Sequence, residues 1–266
     1  MTGARASWAK VTELAERLSE RDKEIIRQLA RVRLLTGWQL ERLIFAHNAE
    51  SQQSHIRRRV MKRLVELELV ATLERRVGGV RAGSAGLIYC LGRLGQRMAD
   101  LLNGSTFRAR TRAPRTPSEM FLRHTLAISE SFVSLVELSR QGIGSVHTFA
   151  TEPDCWWPDG NGGMLRPDAL AIVEDEQYEA ANWLEIDQGS EDLGRIRSKI
   201  VTYEAFAASG AEGVHGVLPH VVFATATEER AEDIAGEIAK QGALRMVYKA
   251  TAQAALAALL FQGLHV

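Results

Sequence analysis

The chain is poor in the residues that staple or anchor a fold. Its 266 residues include two cysteines, Cys90 and Cys155, that lie in separate halves and show no paired metal-binding spacing. Neither a disulfide framework nor a structural zinc site built on cysteine has support. Seven histidines contain no His-x-His pair, so the metal-binding signature of rolling-circle relaxases is missing. No apolar run approaches the roughly 20 residues of a membrane span. The N-terminus is mixed in charge and lacks a stretch of signal-peptide length, which makes the cytoplasm the expected location. No internal repeat or low-complexity segment of consequence is found.

Net charge is missing too, but only in sum. The 33 basic residues balance 33 acidic ones, yet residues 1–113 hold 22 Lys and Arg against 11 Asp and Glu, and residues 114–266 hold the reverse. Opposed halves of this kind point to a nucleic-acid-facing part joined to one that either avoids phosphate or collects cations. The length allows two modest domains with separate cores.

Apolar residues recur at helical spacing from Trp8 to Val32, as one long helix or two short ones. Thr36 precedes a helix of about three turns over 39–45. Ser51 opens a third helix with an inward stripe of Ile56, Val60, Leu64 and Leu67, leaving Gln53, Arg57, Arg58 and Lys62 to face outward. Two short strands follow, over 70–77 and 87–91, joined by a basic glycine-rich link containing Arg81 and preceded by Arg75 and Arg76. A helix over 94–102 completes the order helix, helix, basic helix, ribbon, helix. That is the layout of a winged helix-turn-helix, whose third helix enters a major groove of double-stranded DNA while the wing reaches backbone or minor groove.

Residues 104–118 carry Arg108, Arg110, Arg112 and Arg115 among small residues and prolines, and read as a linker able to track phosphates. Beyond it, a helix over 119–140, strands over 145–150, 169–173 and 178–187, a helix over 193–208, a strand over 221–225 and a last pair of helices predict an α/β sandwich. The expected division is therefore 1–103, 104–118 and 119–266, and the expected class is α+β.

The chemistry concentrates in Pro167-Asp168 and Glu185-Ile186-Asp187. Alternation along a strand points Glu185 and Asp187 to one face and Leu184 and Ile186 into the core, and Asp168 lies at the entry of the preceding strand. If the strands pair, the carboxylates converge within reach of a hard cation, Mg2+ or Mn2+. Arg195, Lys199 and Tyr203, spaced by four, share one helix face. The plainer reading is that these acids are turn and edge charges, that Tyr203 is a packing residue and that Cys155-Trp156-Trp157 is apolar packing or a loop anchor.

Pro167-Asp168 followed by Glu185-Ile186-Asp187 resembles the PD-(D/E)xK nuclease superfamily. The resemblance implies metal binding by Asp168 and Glu185 and a lysine beside the attacking water. Asp187 occupies the position where that lysine is expected, so Lys199 from the next helix is the implied substitute, and Glu130 matches the place of a further acid. More narrowly, Arg57-Arg58-Arg59, the segment 76–86, Leu122-Arg123-His124-Thr125-Leu126, Pro167-Asp168-Ala169 and Leu184-Glu185-Ile186-Asp187 resemble the replication-relaxation family of actinobacterial plasmids and integrated elements, over about residues 30–225. That resemblance implies a role in plasmid replication, DNA relaxation or transfer. Two functions fit: a magnesium-dependent nicking nuclease using Asp168, Glu185, Asp187 and Lys199, or a non-enzymatic DNA-binding regulator whose nuclease-like domain serves dimerisation or docking. Replication or transfer proteins of the element are further expected partners, and the reading admits a homodimer.

Overall fold

The computed structural model describes residues 8–76, 86–105, 111, 113–115, 117–189, 191–242 and 244–265, and among them the class is mixed α+β. The chain divides into two compact units, Met1–Ser129 and Glu130–Val266.

In the first unit the 8–32 stretch is two helices, α1 (Trp8–Arg17) and α2 (Glu20–Val32). The break falls where Ser19 caps α2: its Oγ accepts from the Asp22 amide while Asp22 accepts from the Ser19 amide at 3.0 Å. Strand β1 (Leu35–Thr36) leads into α3 (Gly37–Ile44), which Thr36 caps reciprocally with Gln39, at 3.1 and 2.9 Å. Two orphan amides are satisfied at each of these ends, which fixes where the helices start. Helix α4 (Glu50–Glu66) begins one residue before Ser51, without a side-chain cap. Strands β2 (Val70–Arg76) and β3 (Leu87–Leu91) pair antiparallel, and β1 adds to the far side of β3. Helix α5 (Arg93–Leu102) packs so closely on the start of the ribbon that a Cβ on Gly95 would lie 1.9 Å from the Leu69 carbonyl oxygen. Ile25, Ile26, Leu29, Leu40, Met61 and Leu64 are buried at its centre.

Helix α6 (Glu119–Arg140) gives its first half to this unit. Gln39 Nε2 donates to the Leu126 carbonyl at 3.1 Å, and Ser129 Oγ donates to the Leu34 carbonyl at 2.6 Å. The division expected from composition at 104–118 is thus displaced to Ser129/Glu130, because these buried bonds draw the helix start into the first core.

The expected outward face of α4 needs one correction. Its buried positions are Arg57, Val60, Met61 and Leu64, so Arg57 points inward. It is fully buried, with Nε 2.8 Å from Glu41 Oε1 and a guanidinium nitrogen 3.5 Å from the Tyr89 hydroxyl. A buried arginine persists only when paired and hydrogen-bonded. Arg58 and Lys62 remain exposed, and Gln53 is half-buried.

The second unit is a sandwich around a five-stranded sheet. Strand β7 (Ala169–Glu174) pairs antiparallel with both β4 (Ser145–Thr151) and β8 (Glu179–Asp187), and β9 (His220–Thr225) and β10 (Tyr248–Ala252) add to β8 in parallel, in the order β10-β9-β8-β7-β4. Two-residue strands β5 (Trp157–Pro158) and β6 (Met164–Leu165) make a small separate hairpin. Helices α7 (Leu193–Ser209) and α8 (Glu228–Ala239) carry the parallel crossovers and share one face, where Arg197 pairs with Glu237 at 2.7 Å. The second half of α6 and α9 (Gln253–Gln262) cover the other face: Phe132 meets Phe149 at 5.0 Å, and Gln253 reaches Ser131. The expected closing helix pair is present as α8 and α9, with the unexpected strand β10 between them. Its sequence, Tyr-Lys-Ala-Thr-Ala, alternates apolar and polar residues as a half-buried edge strand does, but over only five residues.

Arg57→Ala should lower the stability of the full chain by about 3 kcal/mol, since it strands Glu41 beside an emptied buried site. Arg58→Ala should change it by less than about 0.5 kcal/mol. Urea unfolding of the two variants checks the assignment, and equal effects would contradict it.

Candidate functional site

Two backbone contacts position the first carboxylate. The Asp168 amide donates to the Leu184 carbonyl at 3.0 Å, and Asp168 Oδ2 accepts from the Ile186 amide at 2.7 Å. Asp168 is therefore moored across β8 at the entry of β7, flanking Glu185. The turn before it is held from behind: Cys155, buried, donates its thiol to the Pro167 carbonyl at 3.0 Å. Burial, then the charges of Glu152 and Asp168, push that thiol up to about 12, so it stays protonated. The Cys155-Trp156-Trp157 stretch thus serves as an anchor, with Arg166 stacked 4.8 Å over the Trp156 ring.

Glu185 lies in the middle of the sheet on the face shared with Trp183 and covered by α7, and is 3 % exposed. Leu184 and Ile186 are buried as well, because both faces of this sheet are covered. Asp192 caps α7 by accepting from the Arg195 amide at 2.8 Å. From that start, Lys199 and Tyr203, one turn apart, both reach Glu185. Lys199 Nζ is 2.8 Å from Glu185 Oε2, and the Tyr203 hydroxyl donates to Oε1 at 2.5 Å. Tyr203 stacks on Trp183 at 5.5 Å. Arg195, the third of the spaced-by-four set, is exposed.

Burial, reinforced by the Asp168 charge, pushes the Glu185 carboxyl up to about 7 against the opposing pull of Lys199 and Tyr203. Burial works to lower the Lys199 value, but Glu185, Asp168 and Glu191 outweigh it, so the ammonium is held more firmly than usual. Burial and then Glu185 raise Tyr203 well above the ordinary phenol range. The tyrosine is accordingly a donor to Glu185 and stays a neutral phenol.

Glu191, which sequence reasoning missed, contacts Lys199 as an ion pair at 2.9 Å from its Oε2. Asp187 sits on the Glu185 face as alternation requires, but Arg230 of α8 takes its Oδ2 at 2.6 Å, and the Gly189 amide takes Oδ1 at 2.8 Å. Arg230 also donates to the Glu191 carbonyl at 2.6 Å, which ties the loop after β8 to α8. No spacing rule links Asp187 to an arginine 43 residues on. Glu130 belongs to α6, on the face opposite α7, and is not part of this cluster. Among the described residues, no third His, Cys, Asp or Glu ligand atom closes with Asp168 and Glu185 to within 4.8 Å of one another. The expected convergence of three carboxylates is replaced by two acids and a lysine.

This donor set fits a hard divalent cation. Lys199 pairs with both Glu185 and Glu191, and the Asp168 charge adds to burial in raising the Glu185 value. Each Glu185 oxygen holds one donor and keeps a further lone pair for an ion.

In the first unit, the outer face of α4 presents Arg58, whose Nε donates to its own Ser54 carbonyl, and Lys62, 3.9 Å from Glu66. Gln53 donates to the Asn48 carbonyl at 3.1 Å. Arg81, and the side chains of Arg75 and Arg76, lie outside the described residues.

Stability should depend on pH through Glu185. Between the ordinary carboxylate value of about 4.5 and about 7 the folded chain holds a proton that the unfolded chain has released, so this contribution is complete below the lower value and is lost as pH rises through the upper one. Relative to Glu185→Gln, the wild type should lose on the order of 3 kcal/mol between about pH 5 and pH 8. Parallel stability profiles for the two proteins would show that Glu185 does not titrate there.

Neither the curated proteins nor the solved structures contain a match to this chain. A family model described as replication-relaxation matches residues 26–221, which takes in α3, α4, the β-ribbon and strands β4 to β8 together with α7. By that match over well more than half its length, the chain belongs to the replication-relaxation family.

Proposed function

We propose that the chain is a metal-dependent DNA-nicking protein of a mobile element, gripping duplex DNA through the first unit and cutting with the second. Membership of the replication-relaxation family suggests a role in plasmid or element replication or relaxation, and the proposal gives that role a chemistry. One observation carries it: Asp168 and Lys199 of the following helix flank Glu185, a buried and strongly perturbed carboxyl on the central strand. Perturbed groups of this kind are what phosphodiester chemistry requires, whereas a solvated edge charge needs none of them.

A bound Mg2+ or Mn2+ would polarise the phosphoryl group and lower the pKa of a bound water. Asp168 and Glu185 would supply the oxygen ligands. Lys199, kept protonated, would stabilise the charge that develops on the phosphoryl oxygens. Tyr203 orients Glu185 by hydrogen bond, and Cys155 steadies the turn that carries Asp168. The lysine reaches the site from α7 in place of the strand position that Asp187 occupies, in keeping with a PD-(D/E)xK-like domain that draws its lysine from the next helix.

The order α2, α3, α4, then the β2–β3 ribbon, supports reading the first unit as a winged helix, with Arg58 and Lys62 on the exposed face of the helix that would enter a major groove. The opposed charge of the two halves agrees with phosphate contact in one and cation binding in the other.

A second reading has its own observation. Both Glu185 oxygens already have donors, and Lys199 is clamped between two glutamates, an arrangement equally suited to a silent core that serves a DNA-binding regulator. Purified protein incubated with supercoiled plasmid, with and without magnesium or manganese, separates the two. Nicked product that disappears in Asp168→Ala and Glu185→Ala, with DNA binding retained, supports the nuclease. A mobility shift without strand breakage supports the regulator.

For the binding surface, Arg58→Ala and Lys62→Ala should each weaken duplex binding and make its salt dependence shallower by about one unit per lost phosphate contact. An unchanged salt slope in the double variant would move the DNA surface away from α4.

A further inference from the structure

At the opposite end of β7 and β8 from Asp168, about 20 Å along the strands, lies a second group of ionisable side chains. Glu174 ends β7, Glu179 begins β8, and the register pairs them directly across the ladder. Asp175 closes the turn between them, its Oδ1 accepting from the Gln177 and Tyr178 amides at 2.8 Å. Like charges directly opposed across strands are destabilising. Among the described residues, no lysine or arginine is in ion-pair contact with either glutamate; their partners are two histidines and a serine.

His147 comes from the edge strand β4, where the register shift between Val146 and Thr148 marks a bulge. The bulge leaves His147 without a cross-strand partner, and its Nδ1 lies 3.3 Å from Glu174 Oε2. His215 comes from the turn after α7, with φ of 51°, and its Nδ1 lies 2.8 Å from Glu179 Oε1. That turn is tight: Val214 bridges to Val217, and a Cβ on Gly213 would lie 2.0 Å from the Val217 carbonyl oxygen. The two imidazoles meet edge to face at 6.4 Å. Ligand atoms of His147, Glu174 and Glu179 all lie within 4.8 Å of one another, and His215 adds a fourth beside Glu179.

We propose that His147, Glu174, Glu179 and His215 form a transition-metal site of the zinc class, separate from the Asp168–Glu185 cluster. Three of the four donors are already gathered, and His215, held on Glu179, would complete the set on turning toward the ion; two imidazole nitrogens and two carboxylate oxygens suit a structural zinc ion and not the all-oxygen shell that magnesium or calcium prefers. Glu174 is already oriented: Ser145 Oγ donates to its Oε1 at 2.9 Å, leaving Oε2 directed at His147. A divalent ion would neutralise the opposed glutamates and staple three pieces of chain: the bulged edge strand, the β7–β8 hairpin and the turn leading from α7 to β9.

The test uses the full chain, stripped with chelator and titrated with zinc chloride by calorimetry, with cobalt as a spectroscopic probe of coordination. The wild type should bind zinc, give the visible bands of tetrahedral cobalt and gain thermal stability with zinc. His147→Ala and His215→Ala should each weaken zinc binding at least about tenfold and abolish the thermal gain. Asp168→Ala should leave both unchanged, because the proposal does not depend on the nuclease reading. Both histidines are about half exposed, so these substitutions spare the core, and Glu179→Gln, which keeps the shape and removes the charge, should behave like them. Absence of zinc binding by the wild type up to about 100 μM, a molar scale far weaker than structural zinc sites, would overturn the proposal. So would equal affinity in the double histidine variant.

Discussion

The second unit depends on a carboxylate buried where a hydrophobic side chain would ordinarily sit. Glu185 occupies the central strand on the face that also holds Trp183, and the covering helix α7 must present a hydroxyl and an ammonium at the matching height. That requirement constrains α7 in rotation and in register at once. Rotating the helix by one residue, about 100°, would bring a different side chain against an uncompensated buried charge. The Asp192 cap and the loop bond from Arg230 to Glu191 set the start of the helix so that this mismatch does not arise.

The first unit uses the same device with the signs exchanged. Arg57 is the buried charge, Glu41 its counter-ion and Tyr89 the hydroxyl beside it. In each case a helix is fixed to its neighbours by an ion pair with a tyrosine, in surroundings where an unpaired charge would cost several kcal/mol. Such pairs contribute little net stability compared with apolar packing, but they discriminate strongly against misaligned alternatives.

Much of this was legible in the sequence where the signal is local. Thr36 with Gln39 three residues on announces a reciprocal cap, and the Trp183–Asp187 run alternates as a strand should. The features that escaped are non-local or ambiguous in rotation. Within Arg57-Arg58-Arg59 nothing in the sequence marks which arginine turns inward, because the stripes through 56 or 57 share Val60 and Leu64. Strand β10 is five residues long, so its alternation of Tyr248, Ala250 and Ala252 with Lys249 and Thr251 is too short to stand out. Glu191 and Arg230 join the site through a loop and a second helix, at separations that no periodicity encodes. The Ser129/Glu130 division escaped for a related reason: α6 is one continuous helix, and only its tertiary bonds show that its first half belongs to the first core.

The two thiols carry a practical consequence. Cys155 is locked onto the Pro167 carbonyl, and Cys90 is half-buried against Leu34, Leu73, Ile88 and Leu122, with burial pushing its thiol up to about 11. Because alkylating reagents attack the thiolate and not the thiol, both native sulfurs stay almost silent at neutral pH. A cysteine introduced on the exposed face of α4 or in the turn at His215 would take a fluorophore or spin label selectively, without first removing the residue that holds the Pro167–Asp168 turn.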